Sequence, residues 1–289
     1  MSVATSRSEV AAAATHLAAA PLQRGDGAVE LAFARHGAAT RVVRLYHRAP
    51  CRVQLPHGPA HEPVPAILLN TAGGLTGGDR VSIAVGAEAA ASVTVSTAAA
   101  EKLYRSPGPD CTVAVGLTIG DGAWLEWLPQ ETILFDGARL RRSLGASVAA
   151  TGRLLAAEML VFGRVASGER WSNGSVRDKW RIEQARELLW YDSMCLCGDA
   201  VAHPAGIGAA EAMATVAYIG ADAARYLPLA RDLTDDRPCR AGATLVNGIL
   251  LARFLGSAVP VRQSLAHYVG ELRHGAAGLA ARPPRVWNL

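Results

Sequence analysis

Cysteine is scarce in this sequence and lacks the spacing of a disulfide framework. The 289 residues contain five cysteines, Cys51, Cys111, Cys195, Cys197 and Cys239, which form an odd and widely spaced set. Domains that depend on disulfides carry an even number of cysteines over a much shorter chain. The composition therefore excludes a disulfide scaffold and fits a reducing compartment, so we expect a cytoplasmic protein.

Lysine is almost absent, and the basic residues are scattered along the chain. Lys102 and Lys179 are the only lysines, and the net charge is a mild +4. Arg139, Arg141 and Arg142 form the one small basic cluster. Nucleic-acid-binding domains usually concentrate their basic residues, so we expect no nucleic-acid partner.

Long apolar runs of the kind that cross a membrane are also missing. The alanine-rich residues 10–22 are too short and too weakly apolar to span a bilayer. They also lack the basic lead-in and cleavage site of an export signal. We expect no membrane association, and we interpret residues 1–26 as a flexible segment that precedes a single β domain at residues 27–289.

Glycine is abundant in residues 67–85, "ILLNTAGGLTGGDRVSIAV", yet the features of a phosphate-binding loop are absent. A P-loop ends in Gly-Lys-Ser/Thr and opens a helix. Here Gly78 is followed by Asp79, whose carboxylate would repel phosphate, and then by residues that alternate as in a strand. The stretch therefore predicts a strand, a loop and a second strand, and it excludes this kind of nucleotide site.

Period-two alternation dominates from Gly27 onward and predicts a mainly β fold. One face of a strand would be lined by Val113, Val115, Leu117 and Ile119. Asp-Gly pairs predict hairpin turns at residues 26–27, 121–122 and 136–137.

The last quarter of the chain adds about two helices. Pro228 begins or kinks a short one, and residues 261–272 have the apolar spacing of an amphipathic helix. Between them, residues 243–256 read as one buried strand. With no internal repeat and no long linker, we expect one layered β domain with helices in its C-terminal third.

Side chains that ligate metals do not form a recognisable motif. Cys195 and Cys197 would share one face of a strand near His203, and His57 and His61 form a second loose pair. A tight zinc or nickel site needs three or four converging ligands. We interpret these residues as structural cysteines and solvated histidines, and the role of Cys195 and Cys197 stays open.

Carboxylates at strand ends and in turns suggest an enzymatic alternative. They are Asp79, Glu101, Glu131, Asp136, Glu158 and Glu169. Two of them facing one cleft would suit acid–base chemistry, as in glycoside hydrolases. A β-scaffold hydrolase that uses paired carboxylates is therefore the alternative function. Glu101 and Arg105 would pair with each other if a helical turn forms there.

Five short motifs occur in a particular order along the chain. They are "NTAGGLTGGDR" (70–80), "STAAAEKLYRS" (96–106), "LPQETILFDGARL" (128–140), "EMLVFGRVASGE" (158–169) and "PRVW" (284–287). Together they closely resemble the urease accessory protein family UreD, called UreH in some organisms, from about residue 27 to the C-terminus. The resemblance implies a layered, β-helix-like all-β scaffold with two helices.

The resemblance also implies a maturation factor that is not an enzyme. Such proteins bind apo-urease and recruit UreF and the GTPase UreG, with UreE as the usual nickel donor. GTP hydrolysis belongs to UreG, which agrees with the missing P-loop. No cofactor is expected to bind tightly, since nickel is in transit to urease. The apolar stripe at residues 261–272 would either bind a UreF-type partner or pack on the sheet.

Family members are thought to pass nickel through an internal polar tunnel. A conduit must release the ion, and oxygen ligands hold Ni²⁺ less tightly than thiolates or imidazoles do. Motif and chemistry together select seven candidates for the lining, namely Asp79, Glu101, Ser106, Glu131, Asp136, Glu158 and Glu169.

Overall fold

Two β-sheets stack face to face in the computed structural model, which describes residues 23–59, 61–197, 203, 206–208 and 210–288. The seven-stranded sheet contains β1 (Asp26–His36), β2 (Ala39–Arg48), β5 (Arg80–Ala87), β8 (Cys111–Ile119), β11 (Arg139–Val148), β13 (Ser175–Gln184) and β14 (Glu187–Cys197). The ten-stranded sheet contains β3 (Cys51–Gln54), β4 (Val64–Asn70), β6 (Ser92–Thr97), β7 (Glu101–Leu103), β9 (Trp124–Trp127), β10 (Thr132–Leu134), β12 (Arg153–Phe162), β15 (Ala212–Ile219), β16 (Arg240–Val246) and β17 (Ile249–Gly256). The helices are α1 (Leu227–Asp232) and α2 (Ala258–Ala277).

The middle of the chain alternates between the sheets and so stacks its strands in successive coils. Strands β5, β8, β11 and β13 are parallel neighbours in one sheet, and β4, β6, β9 and β12 are parallel neighbours in the other. Within the first sheet, Ile83 lies beside Val115, and Val115 lies beside Leu144. This solenoid-like stacking confirms the mainly β prediction. It needs only matched alternation, so it arises without a sequence repeat.

The two sheets differ in how many of their faces are covered. Strand β12 is buried at nine consecutive residues, because the ten-stranded sheet packs on the other sheet with one face and on the helices with the other. Strand β11 instead alternates between buried and exposed residues. A strand buried on both faces has a continuous apolar sequence, whereas a half-buried strand alternates.

Helix α2 confirms the amphipathic helix that was predicted at residues 261–272. Val261, Leu265, Tyr268 and Leu272 are fully buried or nearly so in the cluster that joins the helices to the ten-stranded sheet. The stripe therefore packs on the sheet and does not offer a free surface to a partner. Helix α1 begins at Leu227, with Pro228 in its first turn. No helix in the described residues is long and apolar enough to cross a membrane.

Three local predictions need correction. Asp26 opens β1 instead of forming a hairpin turn with Gly27. Residues 243–256 are not one strand, because Asn247 and Gly248 adopt positive φ angles and form the turn between β16 and β17. The turns at residues 121–122 and 136–137 do exist, but each joins strands of different sheets and is no hairpin. The flexible start predicted at residues 1–26 lies outside the described residues, except for residues 23–26.

A buried ion pair fastens α2 to the ten-stranded sheet. Arg273 donates to both carboxylate oxygens of Glu126, over 2.9 and 3.1 Å, and to Glu62 over 2.8 Å. Thr94 adds a hydroxyl donor to Glu126, which is completely buried. Removing one partner of such a pair leaves an uncompensated charge in the interior.

We expect Arg273→Ala to lower the free energy of unfolding by about 3–5 kcal/mol, because Glu126 would stay buried without its cation. Urea unfolding followed by circular dichroism measures this change. The double variant Glu126→Leu/Arg273→Leu should recover most of the loss, and Arg231→Ala, at an exposed arginine of α1, is the control. A single variant as stable as the parent would contradict a fastening role for the pair.

Candidate functional site

The glycine-rich loop at residues 71–79 connects β4 of one sheet to β5 of the other. It packs tightly on the segment that follows β7. A Cβ added to Gly74, whose φ is +149°, would lie 2.8 Å from the carbonyl oxygen of Lys102. A Cβ on Gly77 would lie 1.9 Å from Ser106 Oγ. Glycine at these positions therefore allows the loop to pack closely on the segment after β7. The strand, loop and second strand that the sequence predicts are all present.

A cleft of about 340 Å³ lies beside this loop, and a cavity of about 90 Å³ lies deeper, between the two sheets. The polar or loop residues of the cleft include Asn70, Gly73, Gly74, Glu101 and Lys102. The cavity is lined in part by Glu101, Trp127, Gln130, Arg142 and Glu158. Val81, Ile83, Thr97 and Glu101 line both spaces, so the cleft and the cavity are neighbours, and we call the boundary at Glu101 their junction. We call the cleft and the cavity together the passage.

Glu101 lies at the junction of the passage, where β7 begins. Asn70 Nδ2 donates to both of its carboxylate oxygens over 3.1 Å. Burial raises the pKa of this carboxyl, and the hydrogen bond from Asn70 only partly opposes that effect. The predicted pairing with Arg105 is wrong, because Glu101 lies in a strand and Arg105 pairs with Asp136 over 3.4 Å.

Glu158 lines the inner cavity from strand β12. Trp127 Nε1 donates to its Oε1 over 3.0 Å, and Arg142 Nε lies 3.2 Å from its Oε2. Arg142, however, directs its hydrogen bonds to Asp178, over 2.9 and 2.7 Å. Glu158 Oε2 is buried, and no donor among the described residues makes a hydrogen bond to it.

The three charged groups at the inner end of the passage do not balance. Glu158, Arg142 and Asp178 are all buried, and two carboxylates share one guanidinium. Burial raises the pKa of Glu158, Arg142 counteracts this, and the charge of Asp178 adds to the rise. A buried group of this kind either takes up a proton or attracts a cation.

The thiols near the passage are poor metal ligands at neutral pH. Cys51 lines the cleft, and burial together with the charge of Glu101 raises its pKa to about 11. Burial, with smaller contributions from Asp79 and Glu101, raises the pKa of Cys111 to about 12. A soft metal binds the thiolate and not the thiol, so the passage offers an ion mainly oxygen ligands.

Comparison with known proteins identifies the family. The profile described as UreD urease accessory protein matches residues 25–288. The chain belongs to the UreD family. It is 40% identical over 278 residues to a urease accessory protein UreD of Magnetococcus marinus, covering 93% of this chain and 96% of the relative. It is 45% identical over 232 residues to one of Granulibacter bethesdensis, covering 79% and 96%. Urease accessory protein UreD 1 of Methylobacterium radiotolerans is 42% identical over 283 residues, covering 94% and 95%.

Two of the residues selected by the UreD motifs make hydrogen bonds within the loops beside the cleft, which we call the mouth of the passage. Asp79 is buried and accepts main-chain N–H groups from Gly25 over 2.7 Å and from Thr76 over 2.8 Å. Ser106 donates to the carbonyl of Pro109 and accepts from Gly108 N–H over 3.1 Å. Both side chains hold the loops that shape the mouth, and neither is among the residues that line the passage.

Asp136 and Glu169 form a separate cluster near the surface. The N–H of Asp136 donates to Glu169 Oε1 over 2.7 Å, and Arg164 pairs with the same carboxylate. Burial would raise the pKa of Asp136, but hydrogen bonds from Ser172 and Asn173 outweigh it and lower the pKa to about 2. Asp136 and Glu169 therefore lie next to each other, but away from Glu101 and Glu158.

Glu131 lies at a third place, beside an apolar groove of about 460 Å³ at the start of α2. It pairs with Arg262 of that helix, and its main-chain carbonyl accepts the N–H of Glu101 over 2.9 Å. The apolar lining of the groove includes Ile133, Phe135, Met159, Val161, Val165 and Val259. Val259 is 64% exposed, so this groove is an apolar surface open to a partner.

Sequence reasoning missed Arg142 and Asp178, although the alternation contained the signal. Strand β11 buries Leu140, Arg142 and Leu144 in turn, and β13 buries Val176, Asp178 and Trp180. A charged residue at an inward position between two apolar ones predicts a buried partner of opposite charge.

The described residues contain no group of three or more His, Cys, Asp or Glu side chains that could hold a metal ion. Cys195 and Cys197 are both exposed on β14, and Cys239 is partly buried. The residues that do line an internal space, Glu101 and Glu158, come from two of the five motifs.

The raised pKa values of Glu101 and Glu158 predict a pH dependence of stability. Both carboxyls bind a proton more tightly in the folded chain than in the unfolded one, so the free energy of unfolding falls as pH rises above about 4.5. We expect Glu101→Gln/Glu158→Gln to lose less stability than the parent between about pH 5 and pH 8. Urea unfolding at several pH values measures the slopes.

Glu169→Gln is the matched control for this measurement. Hydrogen bonds from Asp136 N–H and Arg164 lower the pKa of Glu169, so its titration is complete below that pH range. The control should therefore keep the slope of the parent. A double variant with the same slope as the parent would contradict raised pKa values at Glu101 and Glu158.

Proposed function

We propose that this chain is a nickel-insertion chaperone that binds apo-urease and delivers nickel to it through the passage. Its relatives are urease accessory proteins UreD, which supports a role in urease maturation. The observation that carries the nickel proposal is the passage itself, with Glu101 at its junction and Glu158 at its inner end. Of the other residues selected by the motifs, Asp79 and Ser106 are proposed to shape the loops beside the passage, whereas Glu131, Asp136 and Glu169 lie outside it.

The side chains that line the passage suit an ion that must be bound and then released. Carboxylate, amide and carbonyl oxygens bind Ni²⁺ less tightly than thiolates or imidazoles do. The excess negative charge of Glu158, Arg142 and Asp178 compensates an entering cation in an interior of low dielectric constant. The raised pKa of Glu158 means that the cation must compete with a proton there. This competition limits how tightly the ion is held and so favours release.

The proposal includes the partners that the UreD family implies. UreF would bind this chain and recruit UreG, which supplies GTP hydrolysis, and UreE would bring nickel to the assembly. The apolar groove at the start of α2 is the surface we assign to UreF. It exposes Val259 and lies beside the Glu131–Arg262 pair, so it combines an apolar centre with a charged rim, as protein interfaces do.

We expect Glu101→Gln and Glu158→Gln each to lower the rate of nickel transfer to apo-urease about tenfold. This corresponds to roughly 1.4 kcal/mol of lost stabilisation of the passing ion. Nickel bound per urease active site, measured by mass spectrometry after a timed reaction with nickel, UreF, UreG and UreE, gives the result.

Glu169→Gln is again the matched control, because it makes the same chemical change near the surface and outside the passage. Co-purification of each variant with apo-urease separates a transfer defect from an assembly defect. Parental transfer rates in both passage variants would contradict the nickel route. Equal nickel loading with and without the chain would contradict the proposed function as a whole and reopen the hydrolase alternative.

The assignment of UreF to the groove is tested by Val259→Glu. A carboxylate in the apolar centre should weaken binding to UreF about tenfold or more, because the charge loses its hydration on docking. Biolayer interferometry with immobilised UreF measures the affinity. Val43→Glu is the control, since Val43 is also an exposed valine, 48% accessible, but lies on edge strand β2. Equal loss in both variants would argue against the groove.

A further inference from the structure

None of the described residues covers the outer face of the seven-stranded sheet, which we call the bare face, whereas α1 and α2 cover the outer face of the other sheet. Five neighbouring strands of the bare sheet, β1, β5, β8, β11 and β13, run parallel. Parallel sheets usually have both faces covered. This face is therefore the largest regular surface that the described residues leave open to a partner.

The centre of the bare face consists of small side chains. On β5, β8 and β11 the outward residues are Ser82, Ala84, Gly86, Ala114, Gly116, Thr118, Ser143, Gly145 and Ser147. Six of them line a shallow depression of about 360 Å³, namely Ala84, Gly86, Gly116, Thr118, Gly145 and Ser147. A Cβ on Gly86, Gly116 or Gly145 would meet no atom closer than 3.9 Å. The fold does not require these glycines, and strand glycines often mark a close approach of another molecule.

Basic residues surround this small-residue centre. The outward positions carry Arg44, Arg48, Arg80, Arg139, Arg141, Arg177, Lys179 and Arg181. Four acidic residues accompany them in ion pairs, Asp26, Glu30, Asp110 and Glu183. Among these named residues the positive charges exceed the negative ones by four, so the face is basic. In the described part of the chain, Arg80, Arg177 and Lys179 have no ion pair.

We infer that this bare basic face docks an acidic, flat surface of apo-urease. The inference rests on the proposed function, which supplies the partner. Carboxylates would find their cations in Arg80, Arg177 and Lys179, while the small-residue centre lets the partner approach the sheet closely. Arg80 directly follows the loop that forms the mouth of the passage, so a protein docked here lies beside that mouth.

A protein fits this face better than a nucleic acid does. Tight binding to a duplex uses about six to ten phosphate contacts, and only three cations here are free of ion pairs within the described residues. The floor of the depression consists of small side chains, and the two arginines in its lining, Arg44 and Arg181, are already paired with Glu30 and Glu183. Polar, charged interfaces also suit a partner that must leave after maturation.

The charge of the face is tested with Arg177→Glu/Lys179→Glu in the full-length chain. We expect affinity for apo-urease to fall at least tenfold at about 0.1 M NaCl, and the difference to shrink at about 0.5 M because salt screens exposed charges. Arg225→Glu/Arg231→Glu, in the helical layer, is the matched charge control and should bind as the parent does. UreF binding should be unchanged in all variants.

The shape of the face is tested with Gly116→Trp, because an added Cβ meets no atom closer than 4.0 Å and the indole would project from the sheet into the docked partner. We expect a loss of at least tenfold in apo-urease affinity with an unchanged melting temperature.

If the parent binds apo-urease while the face variants bind equally well, the face assignment is overturned and the proposed function stands. If the parent neither binds apo-urease nor raises its nickel content, both are overturned. Tighter binding of a duplex of about 20 base pairs than of apo-urease would assign the face to nucleic acid instead.

Discussion

The interior of the protein depends on one constraint, which is that two buried carboxylates share a single guanidinium between the sheets. Glu158 on one sheet and Asp178 on the other both depend on Arg142, and Glu158 keeps a buried oxygen to which no residue that the structure describes donates a hydrogen bond. Replacing buried ionic groups by apolar ones of similar volume is often neutral or stabilising. The cluster is therefore hard to explain as a stabilising device, and a proton or a cation at Glu158 would supply the positive charge that it lacks.

The Glu126–Arg273 pair shows what a structural solution to the same problem looks like. There, the guanidinium reaches both oxygens of Glu126, a second carboxylate at Glu62, and two main-chain carbonyls, while Thr94 completes the shell. All donors and acceptors are used, and the pair joins α2 and the C-terminal segment to the sheet. The two clusters are buried to a similar extent, but only the Glu126–Arg273 cluster has all its hydrogen bonds satisfied. This contrast supports different roles for them.

The sequence predicted the elements that depend on local periodicity and missed those that depend on distant partners. Alternation predicted most strands, and apolar spacing predicted α2, because each pattern follows from one buried face. The turn at Asn247–Gly248 was missed, although its signal was local. Resemblance selected Glu101 and Glu158, but their shared cavity depends on how the coils stack, and so does the pairing of Arg142 with Asp178. Period and spacing alone do not specify that stacking.

The arginines that look scattered along the sequence converge on one face for the same reason. Each coil contributes an outward position to the seven-stranded sheet, so residues far apart in the chain, such as Arg80, Arg141 and Arg177, fall in one row across neighbouring strands. The glycine loop ends where that row begins, and it also forms the mouth of the passage. One loop thus couples the two features, because a partner held by the charged row is held beside the opening. On the proposed nickel route, a carrier whose ligands bind weakly would need this proximity, since an ion released into bulk water is diluted before it reaches its acceptor.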